Sequence, residues 1–92
     1  MTDLEIQKEV LRMIDHYSTM RETMPGSSMY RETMYQYVDM ADGKDADDGN
    51  GTNIRERYYK GYPDDFFLQV LSGLGELELY MKSRLDFGYG IP

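Results

Sequence analysis

The sequence predicts a mainly α, small single-domain protein of about three helices with an acidic loop, and leaves room for one short β-hairpin; an α+β arrangement is the alternative. Three observations carry that prediction. The chain is 92 residues long, enough for one hydrophobic core and no second. Apolar residues recur at steps of three and four along residues 6–24, 30–41 and 67–85, the period of a helix face. Between the second and third of these stretches lies DGKDADDGNGTN, residues 42–53, in which Ala46 is the only apolar residue.

The first helix is predicted over about 3–24. Thr2-Asp3-Leu4-Glu5 spells a capping box, with Thr2 as N-cap and Glu5 reaching back. Ile6, Val10, Met13, Ile14, Tyr17, Met20 and Met24 then form one apolar stripe. Glu5 with Lys8, and Glu9 with Arg12, are spaced for i,i+3 pairing on the wet face. Pro25-Gly26 ends the helix. Ser27 or Ser28 caps a second helix, about 28–41, with Tyr30, Met34, Tyr37, Val38 and Ala41 inward. Arg-Glu-Thr-Met occurs at 21–24 and again at 31–34, an echo too short for a solenoid repeat. Residues 42–53 read as a solvated, mobile loop. Residues 54–62 read as a short strand or an extended connector, and hold a net-positive patch of Arg55, Arg57 and Lys60 against Glu56.

Asp64 or Asp65 caps a third helix, about 64–85, with Phe67, Val70, Leu71, Leu74, Leu77, Met81 and Leu85 inward. Gly73 and Gly75 each cost about 1 kcal/mol inside a helix. Leu77, Leu79 and Met81 also alternate with Glu78, Tyr80 and Lys82, a strand pattern. Helix is the preferred reading, with a break at Gly73. The apolar tail, residues 86–92, is expected to dock on the core or on a second copy.

Composition narrows the function. Leu, Ile, Val and Phe number only eighteen, and eight Met with nine Tyr supply the remaining core material. Met fills irregular gaps and Tyr buries a ring behind a polar tip. Paired protomers would bury more apolar surface than one, so a homodimer is among the expectations. A net charge of -7 argues against direct nucleic-acid binding and against docking on an anionic membrane. No cysteine is present, and no apolar run approaches the eighteen residues of a membrane helix. A cytoplasmic protein is expected, in the host cytoplasm if viral. His16 stands without nucleophile partners, so no catalytic residue, metal or cofactor is assigned.

DADDGNGTNIRE, residues 45–56, resembles a calmodulin-like EF-hand loop. Asp45, Asp47 and Glu56 fall at positions 1, 3 and 12. Gly49 at position 5 offers no side-chain oxygen, Asn50 stands where the turn needs glycine, and Thr52 stands at the apolar position 8. A flexible acidic loop is the preferred reading and a calcium loop the second alternative.

The distribution of acid is the stronger signal. Residues 39–48 hold five Asp against Lys44, and residues 63–92 hold Asp64, Asp65, Glu76, Glu78 and Asp86 against Lys82 and Arg84. In texture rather than motif, this short, acidic, cysteine-free chain rich in Tyr and Met resembles the small early proteins that phages use against host machinery. It is most similar to the acidic DNA mimics among them. The resemblance implies a non-enzymatic inhibitor that occupies the basic DNA-binding surface of a host protein, with the nucleoid protein HU as first named target. Charge assigns that surface to Asp39, Asp42, Asp45, Asp47, Asp48, Asp64, Asp65, Glu76 and Glu78. The alternative is an adaptor that grips a partner through Tyr58, Tyr59, Tyr62, Phe66 and Phe67.

Overall fold

The computed structural model describes residues 1–86. The expected apolar tail lies outside the described residues except for Asp86, which ends the last helix. Among the described residues five helices follow one another: α1 Asp3–Thr23, α2 Ser28–Ala41, α3 Ile54–Tyr58, α4 Asp64–Leu74 and α5 Leu77–Asp86. Among the described residues there is no strand, only an isolated antiparallel bridge between Asp47 and Asn53. The mainly α prediction holds, with five helices in place of three.

α1 begins as its sequence dictates. The Glu5 amide donates to Thr2 Oγ1 at 3.2 Å, and the Thr2 amide donates to Glu5 Oε1 at 3.0 Å. This use of Glu5 holds its carboxyl below the ordinary range, chiefly through the Thr2 backbone hydrogen bond. Arg12 pairs with Glu9 as expected. Met24, placed on the apolar stripe by spacing, is exposed just past the helix end.

α4 is the central element. Phe66, Phe67, Val70, Leu71 and Leu74 are all buried, and it packs against both α1 and α2. A Cβ at Gly73 would lie inside the Ile14 side chain, 2.8 Å from its Cγ1. Gly73 is therefore a close-approach residue between α1 and α4, and the helix runs through it. The break comes at Gly75, where φ is +77°. Its amide donates to Ser72 O at 3.0 Å, and the Glu76 amide donates back to Leu71 O at 2.8 Å, the 6→1 bond of a Schellman ending. The single helix expected over 64–85 is thus two.

Three further expectations change. Residues 54–58 are a one-turn helix, because Asn53 Oδ1 accepts the amides of Arg55 and Glu56 and so caps it. α4 starts at Asp64 behind Pro63, so Asp64 and Asp65 lie in its first turn, where acid suits the helix dipole, rather than capping it. Leu77, Met81 and Leu85, expected inward, are exposed, because α5 turns Tyr80 and Ser83 to the core instead.

The core is aromatic and sulfur-rich. Tyr37, Phe66, Phe67, Met34 and Met40 are wholly buried. Tyr37 meets Tyr17, Tyr59 and Phe67 edge to face at centroid distances of 5.7, 5.8 and 5.3 Å. Its hydroxyl lies 3.1 Å from that of Tyr59, which satisfies both. Among the described residues, no helix is long and apolar enough to cross a membrane.

Candidate partner-binding surface

The nine carboxylates predicted to meet a partner fall at the two ends of α4. An eleven-residue helix separates them by roughly 16 Å.

At the N-terminal end, α2 stops, residues 42–53 turn back, and α4 starts. The segment 42–53 is a built turn rather than a featureless loop. Ala46 is buried, Ile54 N donates to Ala46 O at 2.8 Å, and Asp48 N donates to Thr52 O at 3.1 Å. Asp47 Oδ1 accepts the amides of Gly49 and Gly51 at 2.6 and 3.3 Å. Asp48 Oδ1 accepts those of Asn50 and Thr52 at 2.8 and 3.2 Å. These backbone hydrogen bonds, the Asn50 amide first, hold the Asp48 carboxyl below its ordinary range. Two carboxylates are thereby fixed in direction while remaining at the surface. Asp45 is exposed beside them.

Asp39 and Asp42 sit at the last turn and C-cap of α2, whose last turn holds no basic residue. That is the negative end of the helix dipole, where cations are favoured. Burial pushes the Asp39 carboxyl up, Lys44 opposes this, and Asp42 adds to it. Asp42 accepts the Tyr80 hydroxyl at 2.9 Å and lies 3.7 Å from Arg84. Asp64 pairs with Arg55, and Asp65 accepts from Gln69 at 2.6 Å. A Cβ at Gly43 would come within 3.0 Å of Asp64 Oδ2, which places the α2 terminus directly against the start of α4.

Arg55 holds this end together, and sequence reading took it only for part of a positive patch. Its guanidinium donates to Met40 O at 3.1 Å and to Tyr62 O at 3.2 Å, pairs with Asp64, and lies 5.3 Å from the Phe67 ring centroid. The sequence did carry a signal, since Asn53 and Glu56 flank it with N-cap spacing.

At the other end of α4, Glu76 is consumed. Oε1 accepts Arg21 at 3.2 Å and the Tyr30 hydroxyl at 3.1 Å, and Arg21 also donates to Leu74 O at 3.0 Å. Glu78 is exposed on α5. Beside Glu76 opens a cleft of about 380 Å³. Both copies of the Arg-Glu-Thr-Met echo meet there: Arg21 and Met24 from the end of α1, Arg31 and Met34 from α2.

The structure therefore sorts the nine. Asp42, Asp64 and Glu76 are ion-paired within the fold. Asp39 is half-buried at the end of α2, with Lys44 acting on its charge. Among the described residues, Asp45, Asp47, Asp48, Asp65 and Glu78 make no ion pair and face outward in whole or part. The adaptor anchors are sorted too. Phe66 and Phe67 are wholly buried, Tyr59 and Tyr62 belong to the core's aromatic cluster, and Tyr58 alone of the five is exposed. Asp45, Asp47 and Glu56 do not converge; among the described residues no three His, Asp or Glu side chains group as cation ligands. Compared with known proteins, the chain matches no family model, no curated protein and no solved structure.

Proposed function

We propose that this chain is a non-enzymatic binding protein whose acidic end covers a cationic surface on a DNA-binding partner, with its carboxylates standing in for phosphates. One observation carries the reading. Asp39 sits at the negative end of α2 and is partly desolvated there, next to a turn that fixes Asp47 and Asp48 outward. Acid placed only for solubility avoids helix C-termini and burial. Acid kept where it costs stability points to a use. Fixed carboxylates meet a basic groove with little ordering cost, and charge of -7 steers the encounter.

The test is competition. The protein should displace duplex DNA from a basic nucleoid protein such as HU, and should not bind DNA itself. The two proteins should separate steeply as salt rises from about 50 to 200 mM, because wet charge pairs are screened over roughly 8–10 Å. The triple variant D45N/D47N/D48N should keep its fold, since each amide oxygen can still accept the turn's N–H groups, and should compete at least about fivefold less well. HU–DNA complexes left intact at low salt would remove this target. A partner held equally at both salts would shift the reading to an adaptor, gripping through the cleft of Arg21, Met24, Arg31 and Met34 rather than through the buried aromatics.

A further inference from the structure

α5 is apolar on two sides. Tyr80 and Ser83 are buried and Leu79 is half-buried against the core. On the outer side Leu77, Met81 and Leu85, spaced i, i+4 and i+8, are 43%, 56% and 48% exposed. This explains the strand-like alternation of residues 77–82: Leu77 and Met81 belong to the outer stripe, while Leu79 packs toward the core. Beside the outer stripe stand Glu78 and Lys82, both exposed. They are spaced i,i+4 in the favourable order, yet among the described residues neither makes an ion pair or side-chain hydrogen bond.

We propose that this face receives a second copy of the chain, α5 against α5, antiparallel about a two-fold axis at Met81. A two-fold interface must be complementary to itself. Reversing α5 about Met81 sets Leu77 against the partner's Leu85, and Met81 against the partner's Met81. A two-fold of this kind brings like edges together, so Glu78 lies along the same edge as the partner's Lys82. The axial offset is two residues, about 3 Å, and symmetry repeats the pair. Parallel pairing would set the Glu78–Lys82 edge of each helix against the other edge of its partner, so only the antiparallel form makes the Glu78–Lys82 pairs. One ten-residue helix face offers less than the roughly 800 Å² per partner of a standard interface, so the dimer is reversible. This inference is independent of what the acidic end binds.

Sedimentation equilibrium of the full chain, from about 10 to 500 µM, reads it out in the concentration range expected of a small interface. The mass should rise from 10.8 kDa toward twice that value. M81E, which sets two like charges on the axis, should remain monomeric. E78K and K82E should each weaken association by about tenfold, and E78K/K82E should restore it, because the swap recreates both pairs. The chain has no cysteine, so M81C should crosslink on oxidation while L11C, exposed on α1, should not. Far-ultraviolet circular dichroism confirms that each variant stays helical. A parent that is monomeric at the highest concentration, a double swap that fails to restore association, or crosslinking as fast at L11C as at M81C would each overturn the proposal.

Discussion

The two ends of α4 treat charge unequally. At the C-terminal end Glu76 is answered by Arg21 and Tyr30, and Glu78 stands exposed. At the N-terminal end Arg55 pairs with Asp64, Arg84 lies by Asp42 and Lys44 acts on Asp39, while among the described residues Asp45, Asp47, Asp48 and Asp65 are left without an ion pair. Most of the surplus acid is therefore at one end. The lesson is that net charge locates nothing: Glu76 and Asp45 count equally toward -7 and have nothing in common in their surroundings.

The largest effect should come from Arg55, the cation on which the crowded end depends. Its side chain is only 21% exposed and reaches two carbonyls and a carboxylate from three segments. R55A should destabilise by about 2 kcal/mol, since it takes the guanidinium from Tyr62 O and Met40 O and leaves Asp64 without its cation. R55K should recover only part of this, because an ammonium cannot reproduce the fork. Urea unfolding of the three proteins checks both. If R55A unfolds with the parent, the acidic end holds together without its central cation and the comparison collapses.

Gly73, toward the quiet end, should give the next effect, with a sign that separates two accounts. Helix propensity alone has G73A stabilise by about 1 kcal/mol. The contact with Ile14 reverses this, and overpacking should leave a net loss of about 1–2 kcal/mol. G73A/I14A should regain part of the difference between G73A and I14A, by relieving the clash. A simple gain on G73A would mean that α1 and α4 are not in close approach there.

The smallest effect sharpens the contrast within the acidic end itself. Burial raises the folded-state pKa of Asp39, while backbone amides lower that of Asp48. For Asp39 the folded state holds the proton more readily, so its ionisation opposes folding at neutral pH, and that penalty fades as pH falls through the raised value. For Asp48 the sign is opposite, and its support is lost as pH falls through the lowered value. D39N should therefore raise Tm slightly at pH 7, and the gain should vanish in acid. A lower Tm at pH 7 would show that the carboxylate at the α2 terminus is a stabilising one.

Much of the fold was legible because local chemistry and global packing agreed. The capping box set the start of α1, and Ser27 set that of α2. Sequence reading faltered where one residue type serves two purposes. Gly73 and Gly75 look alike in a string, yet one makes room for a neighbouring helix and the other adopts φ of +77°. α3 is too short to show a period. Met40 and Ala46 are buried by chain geometry that no stripe announces. At the candidate surface the residue types were legible and their partners were not. Asp64 and Glu76 find their cations nine and fifty-five residues away, distances that no local pattern encodes.

The ring cluster around Tyr37 gives the molecule an optical character of its own. With nine Tyr and no Trp, its near-ultraviolet absorption is a tyrosine signal. Burial pushes the Tyr17 hydroxyl up to about 12 and raises that of Tyr37 as well. Raising the pH therefore leaves these core rings colourless until late. The pH at which their phenolate absorbance appears gauges how tightly the core is closed, with no label attached.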